Sequence, residues 1–399
     1  MRGMVSYGNS NESYMLDIFD PMLPYSSSKA EYEKCRLLYL VGQLKPGGLE
    51  RQLCYLLQGM NRESYKPAVV VWNFCKNDVY ANELRRLGVP IYSFPEGSTR
   101  GAKLKALRTL LRRLNPEVLH SYTFFTNFAA QWAARGTRTI PIGSVRSDFF
   151  WAKRECGPIL GRLSARWPCA QIFNSHSAAK HAQGAKEIFV PKRIFVVGNG
   201  LDIKRFVGTS ESIPAAANIL GVGSLYAVKR WDRLLMAVAE IKRKRVDFKL
   251  QIAGEGPLRQ MLQQQMEELD LSDRVSFLGH SQDIFTLMND ARLLVHTADS
   301  EGCPNVIMEA MACGRPVVAM DAGDIPFLVD DGKTGFVISQ GDHANLVNRI
   351  IELLQNHSLC NQMGAAAREK AAREFGLERL VEKTMRAYQG AGWDGTINN

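Results

Sequence analysis

The stretch "LLVHTADSEGCPNVIMEAMACGRPVVAM" (293–320) combines two apolar runs with a helical pattern between them. "LLVHT" and "PVVAM" are short and rich in β-branched residues, as buried strands are. The apolar residues between them predict a helix from about Asn305 to Cys313, ended by Gly314. A helix between two buried strands predicts a βαβ unit, in which the strands run parallel in a covered sheet.

The same alternation of strands and helices extends over most of the chain. Further strand-like runs lie at 35–41, 67–74, 117–122, 139–145 and 170–175, and then at 218–225, 248–254, 274–280 and 335–339. A glycine-rich break at 198–200 separates the two series. The pattern predicts two doubly wound α/β halves. The predicted organisation is a polar extension (1–34), a first domain (35–205), a second domain (206–372), and a C-terminal helix and tail (373–399) that pack back on the first domain.

The composition is that of a soluble globular protein with an excess of positive charge. The 399 residues are 46% hydrophobic and 23% charged, and the net charge is +10. This charge favours anionic partners such as nucleic acid, an acidic membrane surface or phosphorylated small substrates. No apolar window is long enough for a membrane-spanning helix, and the N-terminus lacks a signal-peptide core. Eight cysteines without a C-x-x-C pair or a zinc-type cluster indicate a reducing cytosol and no structural metal.

The densest basic cluster is "GAKLKALRTLLRRLNPE" (101–117). Its leucines recur every three or four residues, so one face of the predicted helix is apolar and the other is basic. A core helix with a solvated basic face is the favoured interpretation. Contact of this helix with a membrane surface is the alternative.

Two loops that follow predicted strands are rich in glycine. The first, "LVGQLKPGGLERQL" (40–53), contains Gly47 and Gly48, and the second, "IAGEGPLRQ" (252–260), contains Gly254 and Gly256. Glycines before a helix let the backbone approach an anion, which the free N–H groups of the helix attract. Neither loop is a G-x-G-x-x-G or Walker motif, so an ordinary tight turn explains each equally well.

Two glutamates mark a third loop of this kind. Glu301 precedes the predicted helix, where a negative charge is favourable without any ligand, and Gly302 lets the backbone bend there. Asn305 is expected to cap the helix. Glu309 lies among apolar neighbours in the second turn, and a buried acid needs a partner. Sugar or ribose hydroxyl groups are suitable partners because they donate hydrogen bonds to carboxylates.

Segment 301–338 resembles the donor-site segment of the retaining glycosyltransferases of family 4, and so do 42–53, 197–206, 222–241 and 250–280 in combination. The resemblance covers nearly all of the chain between about 35 and 375. It implies the GT-B fold, in which two Rossmann-like doubly wound domains face each other across a cleft.

The resemblance also implies roles for individual residues. Glu301 would bind hydroxyls of the transferred sugar, Glu309 the ribose, and Lys229 the leaving diphosphate. The remaining donor-binding candidates are Gly302, Cys303, Pro304, Asn305, Gly254, Gly256, Gly47, Gly48, Ser224 and Arg230. Ser224 stands where the family often carries arginine, so one diphosphate contact is missing or supplied elsewhere, and Arg230 is a candidate substitute.

In the first half, the resemblance points to an acceptor side. "NPEVLHSYTF" (115–124) looks like the family's H-x-H strand end, with His120 in the place of the first histidine and Tyr122 in that of the second. His120 is therefore a candidate catalytic residue, and a buried structural histidine is the alternative. The other acceptor-side candidates are Arg146, Asp148 and Arg51.

The sequence thus leads to the hypothesis of a retaining, metal-independent glycosyltransferase. The chain contains no D-x-D motif, and no cofactor is expected, since the nucleotide sugar is a substrate. A hexose or N-acetylhexosamine would pass from a UDP- or GDP-sugar to a glycan or glycolipid acceptor. The expected location is the cytoplasm, and peripheral contact with the inner face of an anionic membrane is an additional option. Nucleic acid is not expected as a partner, because no motif combines aromatic and basic residues into a binding platform. A non-catalytic nucleotide-sugar-binding or membrane-surface protein and a GT-B sugar-nucleotide epimerase are the alternatives.

Overall fold

The computed structural model describes residues 35–76, 78–186, 188–206, 213–281 and 283–395. The polar extension expected at 1–34 lies outside the described residues. Within these ranges the strands form two sheets, one from each half of the chain.

The first sheet is built from seven parallel strands in the described part of the first half. They are β1 (Leu37–Val41), β2 (Pro67–Val71), β3 (Ile91–Ser93), β4 (Val118–Ser121), β5 (Ile140–Val145), β6 (Ala170–Phe173) and β7 (Ile194–Val196). Across the sheet their order is β3–β2–β1–β4–β5–β6–β7. Every residue of β1 and β2 is buried, as expected for strands covered by helices on both faces.

Helices connect these strands and cover the sheet. They are α1 (Gly48–Gly59), α2 (Arg62–Tyr65), α3 (Val79–Arg86), α4 (Arg100–Leu114), α5 (Asn127–Ala134), α6 (Phe149–Glu155), α7 (Pro158–Arg166) and α8 (His176–Gly184). Helix α1 begins at Gly48, the second glycine of the pair in the first loop, and Gly47 is its cap residue. Helix α1 therefore starts beyond the carboxyl end of β1, where ligands bind in doubly wound sheets.

The second sheet repeats this design with six parallel strands among the described residues. They are β8 (Asn218–Val222), β9 (Lys249–Ala253), β10 (Val275–Gly279), β11 (Leu293–His296), β12 (Val317–Met320) and β13 (Gly335–Ile338), in the order β10–β9–β8–β11–β12–β13. The helices are α9 (Trp231–Arg243), α10 (Arg259–Glu268), α11 (Ile284–Asp290), α12 (Asn305–Ala312), α13 (Ile325–Leu328), α14 (His343–Gln355), α15 (His357–Glu374) and α16 (Leu377–Gly390). The βαβ unit predicted at 293–320 is confirmed as β11–α12–β12.

Each sheet has a point where the strand order reverses. In the first sheet β1 lies between β2 and β4, and in the second β8 lies between β9 and β11. Crevices for ligands form beyond the carboxyl ends of the strands at such points. The loops expected to carry chemistry follow β1, β8, β9 and β11, so the topology places them at or beside these two crevices.

The C-terminal helix α16 lies against the first half of the molecule. The hydroxyl group of Tyr388 is 2.7 Å from Nδ1 of His120, and Nε1 of Trp393 donates to Glu117 at 2.6 Å. Between α15 and α16, the carbonyl oxygen of Phe375 accepts a hydrogen bond from the Leu201 amide at 2.7 Å. The end of the chain thus connects the two halves by polar contacts.

A second connection between the halves is made by the carboxylate of Asp324. It accepts hydrogen bonds from the Ser175 hydroxyl (2.9 Å), the His176 amide (2.7 Å) and the Ser177 amide (2.9 Å) at the start of α8. The ring of His176 also stacks on Phe327 with a centroid distance of 4.4 Å. A side chain of the second half therefore satisfies free amides at a helix N-terminus of the first half.

The basic helix at 100–114 uses its apolar face for the core. Leu107, Leu110 and Leu111 are at most 2% exposed. Beside this face, Arg108 lies over the ring of Trp132 at 5.6 Å and donates to the Trp132 carbonyl oxygen. The apolar face is therefore not available for insertion into a membrane, and the structure supports the core-helix interpretation. Among the described residues, no helix has both the length and the apolar character needed to cross a bilayer.

Candidate functional site

A cavity of about 410 Å³ lies where the crevices of the two sheets meet. The second half supplies the loop after β8 and the loop and helix after β11, and the first half supplies the start of α1 and the end of β5. The lining residues include Gly48, Arg51, Arg146, Asn174, Asn199, Gly223, Lys229, Glu301, Gly302, Cys303, Pro304, Asn305 and Glu309. The structure thus brings together most residues that the sequence assigned to a donor site.

Glu301 forms a compact charged cluster with Lys229 and His296. Nε2 of His296 lies 2.8 Å from the Glu301 carboxylate, and the Lys229 ammonium group donates to the same oxygen. Burial raises the pKa of Glu301, but the hydrogen bond from His296 and the charge of Lys229 outweigh burial and hold the pKa below its usual value. Glu301 is therefore ionised at neutral pH and able to accept hydrogen bonds from a ligand.

Glu309 is buried in α12 and faces a cation from the other half. Its side chain is 7% exposed, and Oε1 is 2.9 Å from Nη2 of Arg51 in α1. Burial raises the pKa of Glu309, and the charge of Arg51 partly opposes that rise. Arg51 was expected on the acceptor side. The structure instead places it in this cavity, because the first turn of α1 points toward α12.

The loop before α12 is held by polar side chains of the first half. Nδ2 of Asn199 donates to the Cys303 carbonyl oxygen and to Oδ1 of Asn305, both at 2.9 Å, and Nε2 of Gln52 donates to Asn305 at 3.2 Å. Asn305 was expected to cap α12. It is instead the first residue of the helix, with Pro304 in the cap position, so its side chain is free to join the halves.

Several buried polar atoms of the cavity residues have no hydrogen-bond partner among the described residues. They include Nε and Nη1 of Arg146, Oδ1 of Asn174 and Oδ1 of Asn199. The Arg146 guanidinium group lies 3.8 Å over the ring of Tyr122, which fixes its position. Buried polar groups normally have partners, so unsatisfied ones that line a cavity point to a polar ligand.

Five donor-site candidates, namely Arg230, Ser224 and three glycines, lie outside this cavity. Arg230 binds Asp232 at 2.9 Å and Asp299 at 3.0 Å, and these hydrogen bonds raise its pKa, so it is not positioned to replace the missing family arginine. Ser224 is exposed, and its carbonyl oxygen accepts a hydrogen bond from Trp231. Gly254 has a φ of 154°, and a Cβ there would lie 1.8 Å from the Gly223 carbonyl oxygen.

Gly256 and Gly47 also have local roles in the fold. A Cβ at Gly256 would lie 2.6 Å from the Leu225 carbonyl oxygen. A Cβ at Gly47 would lie 2.2 Å from the Glu50 carboxylate. The glycines at 254 and 256 thus allow loops to pack closely, and of the first glycine pair only Gly48 lines the cavity.

Two acceptor-side candidates of the first half, His120 and Tyr122, are buried. His120 is 1% exposed, and its ring nitrogens lie 2.7 Å from the hydroxyl groups of Tyr388 and Ser144. Burial lowers the pKa of His120 well below its usual value, and the nearby charge of Arg146 adds to this effect. Tyr122 is also fully buried, and Asp148 caps α6. Neither His120 nor Tyr122 reaches the cavity, so the expected contacts with an acceptor are not available to them here.

A larger cavity of about 690 Å³ lies beside the first one in the first half. It is lined by the loops after β1, β2 and β4 and by the α6–α7 connection, with Leu49 shared between the two cavities. Trp72, Lys103, Phe125 and Glu155 line it. The sequence analysis did not assign these four residues to a site. The sequence contains one indication that they could line a site, which is their position just after predicted strands or near the end of a helix.

Two family models match consecutive parts of the chain. Residues 46–205 match the model for glycosyltransferase family 4, and residues 211–370 match the model for glycosyl transferases group 1. The first match ends and the second begins in the stretch between β7 and β8, the last strand of one sheet and the first of the other. Together they include every residue that lines the smaller cavity.

Individual known proteins show the same similarity. N-acetyl-α-D-glucosaminyl L-malate synthase of Bacillus anthracis is 30% identical over 54% of this chain and 56% of that protein. The chain thus matches little more than half the length of this relative. The putative glycosyltransferase EpsF of Bacillus subtilis is 25% identical over 90% of this chain and 94% of that protein.

The solved structures confirm the two-domain GT-B architecture. The crystal structure of Anabaena HepE in complex with UDP superimposes with a TM-score of 0.73. The match covers 89% of this chain and 100% of HepE, at 21% sequence identity. At this identity the similarity establishes the fold alone.

Proposed function

We propose, since the chain belongs to the family 4 glycosyltransferases, that it transfers a hexose or N-acetylhexosamine from a UDP- or GDP-sugar to a glycan or glycolipid. The observation that carries the proposal is the pair of glutamates, the buried Glu309 and the largely buried Glu301, which line one cavity together with Lys229. The ribose and the transferred sugar carry hydroxyl groups on either side of the diphosphate. These hydroxyl groups need hydrogen-bond acceptors, and the diphosphate needs cations. Surface polysaccharide or lipopolysaccharide synthesis is the proposed setting.

In the proposed donor complex, the ribose hydroxyls donate to Glu309 and the sugar hydroxyls donate to Glu301. Glu309 is only 5% exposed, and Arg51 is its ion-pair partner. Ribose hydroxyls would provide the hydrogen bonds that this ion pair does not supply. Both acids then have partners without taking up a proton, which favours the bound state at neutral pH.

The diphosphate would lie between cations from both halves. Lys229 belongs to the second half, and the unsatisfied guanidinium atoms of Arg146 belong to the first. Amides at the start of α12 add a favourable dipole. This arrangement offers a substitute for the arginine that Ser224 replaces, since Arg230 is bound by two aspartates.

The proposed reaction is retaining and needs no metal. The bond between the anomeric carbon and the diphosphate oxygen breaks, and the acceptor oxygen bonds to the same face of the sugar. The acceptor proton passes to the departing diphosphate. Lys229 and Arg146 stabilise the negative charge that grows on the leaving group. The two halves hold the reactants in register, and closure around the donor excludes water.

The names of similar proteins support a UDP-sugar in particular. HepE is described in complexes with UDP and with UDP-glucose, and the Bacillus anthracis relative transfers an N-acetylglucosaminyl group by its name. UDP-glucose and UDP-N-acetylglucosamine are therefore the first donors to examine. GDP-sugars remain within the proposal.

The test is a titration of the purified protein with UDP-glucose, UDP-N-acetylglucosamine, UDP-galactose, GDP-mannose and GDP-glucose, followed by assay of released UDP or GDP. We expect one of these donors to bind. We expect its nucleotide to be released only when an acceptor is present. NMR of the product's anomeric carbon would establish retention. Release or epimer formation without acceptor would favour an epimerase, and binding without any turnover would favour the non-catalytic alternative. No binding to any donor would contradict the proposal.

A further inference from the structure

Helices α6 and α7 and the segment after α8 expose large apolar side chains. Trp151 is 46% exposed and Phe150 is 39% exposed on α6, and Ile159 on α7 is 71% exposed. Ile188 and Phe189 are 81% and 37% exposed. Single exposed apolar residues are ordinary, but several on neighbouring segments mark an interaction surface.

A shared groove and one cation–π contact join several of these segments. A groove of about 350 Å³ is lined by Phe150, Lys153, Arg154, Pro158 and Arg162. The guanidinium group of Arg162 also lies 5.3 Å over the ring of Phe189, so it joins the groove to the segment after α8. We name these residues, with Trp151, Ile159 and Ile188, the α6–α7 surface.

The segment of the chain that carries this surface is strongly positive. Residues 149–193 contain eight lysines and arginines (153, 154, 162, 166, 180, 186, 192 and 193) and two glutamates (155 and 187), a net charge of +6. This is more than half of the net charge of +10 that the whole chain carries. Three of these basic residues, Lys153, Arg154 and Arg162, line the groove beside Phe150.

Exposed aromatic rings among arginines and lysines match the interface of an anionic bilayer. Tryptophan and phenylalanine rings lie at the level of the lipid headgroups, and basic side chains reach the phosphates with their ends. Each lysine or arginine near an anionic membrane contributes about 1 kcal/mol to the free energy of membrane binding. A protein partner with an acidic surface would satisfy the charges, but it would not require five exposed apolar residues around them.

We propose that the α6–α7 surface docks the protein on an anionic lipid bilayer. The inner side of the same helix pair, at Glu155, Cys156 and Leu160, lines the larger cavity of the first half. Docking therefore brings the part of the cavity wall that this helix pair forms close to the headgroups. An acceptor that carries a lipid anchor reaches the cavity without leaving the membrane, a consequence that rests on the proposed function, whereas the docking itself does not.

The test is co-sedimentation of the full chain with two kinds of vesicle. One kind contains phosphatidylcholine alone, and the other also contains about 30 mol% phosphatidylglycerol, which makes its surface anionic and able to attract lysine and arginine side chains. We expect binding to the anionic vesicles that weakens with salt, and little binding to the neutral ones. Arg154→Gln and Arg162→Gln should each reduce the binding constant about fivefold, and both together about 25-fold. Trp151→Ser with Ile159→Ser should also weaken binding.

The matched control changes residues of similar exposure on the second half. Arg243→Gln with Met261→Ser removes one exposed charge and one exposed apolar residue, and it should leave vesicle binding unchanged. Equal binding of all variants would overturn the proposal, as would absence of binding to anionic vesicles. Self-association of the wild type that Ile159→Ser abolishes, without vesicle binding, would assign the surface to a second copy instead. Vesicle binding is independent of activity, so its failure is distinguishable from failure of the proposed function.

Discussion

Replacing Asp324 with asparagine tests how the two halves are held together. The carboxylate of Asp324 is 4% exposed and accepts hydrogen bonds from two amides and one hydroxyl group at the start of α8. Burial raises the pKa of Asp324, but these hydrogen bonds and that from His176 outweigh burial and lower the pKa below its usual value. The structure therefore predicts that the ionised form stabilises the contact between the halves.

The magnitude follows from the number of hydrogen bonds. A hydrogen bond to a charged group contributes about 1.5–3 kcal/mol, and a neutral one contributes about 0.5–1.5 kcal/mol. The substituted asparagine would keep one acceptor oxygen of two and lose the charge, so Asp324→Asn is expected to reduce the free energy of unfolding by about 2–4 kcal/mol. The loss of charge at the helix N-terminus acts in the same direction.

The pH dependence has a definite sign. Because the folded-state pKa is lowered, the stabilisation by Asp324 is complete above the pKa of the unfolded chain, about 3.9. It is lost as the pH falls through the lower pKa of the folded state. The difference between wild type and Asp324→Asn should therefore be full at pH 7 and should shrink at pH values below about 4.

The assay is thermal unfolding of both proteins at several pH values, with Asp342→Asn as the matched control. Asp342 caps α14 within one half, is exposed and accepts one hydrogen bond from Asn345. Asparagine and aspartate are about equal as helix caps, so the control should unfold like the wild type. If Asp324→Asn unfolds like the control at pH 7, the inferred contribution of this contact is refuted.

Three further predictions concern the cavity and the buried histidine. Lys229→Met should reduce kcat about 10²- to 10³-fold through loss of charge stabilisation on the leaving group, whereas Lys242→Met, which removes an outer ion-paired lysine, should not. Arg146→Gln should weaken UDP binding about 10- to 150-fold by calorimetry, and unchanged affinity would remove Arg146 from the diphosphate site. His120→Gln should reduce the free energy of unfolding by about 1–3 kcal/mol because the Tyr388 and Ser144 hydroxyls lose their partner. Its KM for acceptor should not change, and a raised KM in an equally stable variant would restore His120 to the acceptor side.

The fold was predictable because buried strands have a strong local pattern. β11, α12 and β12 lie where the apolar runs and Gly314 place them, since strand length, helix period and helix end are all local properties. The two sheets followed from repetition of this unit. The core role of the basic helix was also favoured correctly, because a stripe of leucines is what a covering helix needs.

Site residues that belong to a motif within one loop were predictable from the sequence. Site residues that meet across the two halves of the molecule were less predictable. Glu301, Lys229 and Glu309 line the same cavity as expected. His296 escaped notice although it ends β11, next to Glu301, and Arg51 was assigned to the acceptor side. Which side chain crosses from one half to the other depends on the arrangement of the halves, which no local pattern records.

The buried positions show the same limit. His120 ends a strand, as a catalytic histidine in this fold would, but α16 covers it from the far end of the chain. Asn305 has the residue type of a helix cap, yet Asn199 and Gln52 bind its side chain. Contacts over such sequence distances override local preferences, because they depend on how distant parts of the chain are arranged in space.

Calorimetric titration of the preferred nucleotide sugar into wild type and Glu309→Gln tests the central claim most directly. Glutamine keeps the shape but replaces two charge-assisted hydrogen bonds from ribose with weaker ones, which amounts to about 2–3 kcal/mol or a roughly 30- to 160-fold higher Kd. Glu352→Gln, on the outer face of α14 and paired with Arg349, serves as the control. The account predicts this loss for Glu309→Gln alone, with a folded protein. An unchanged Kd would contradict the claim that the carboxylates in this cavity hold the donor.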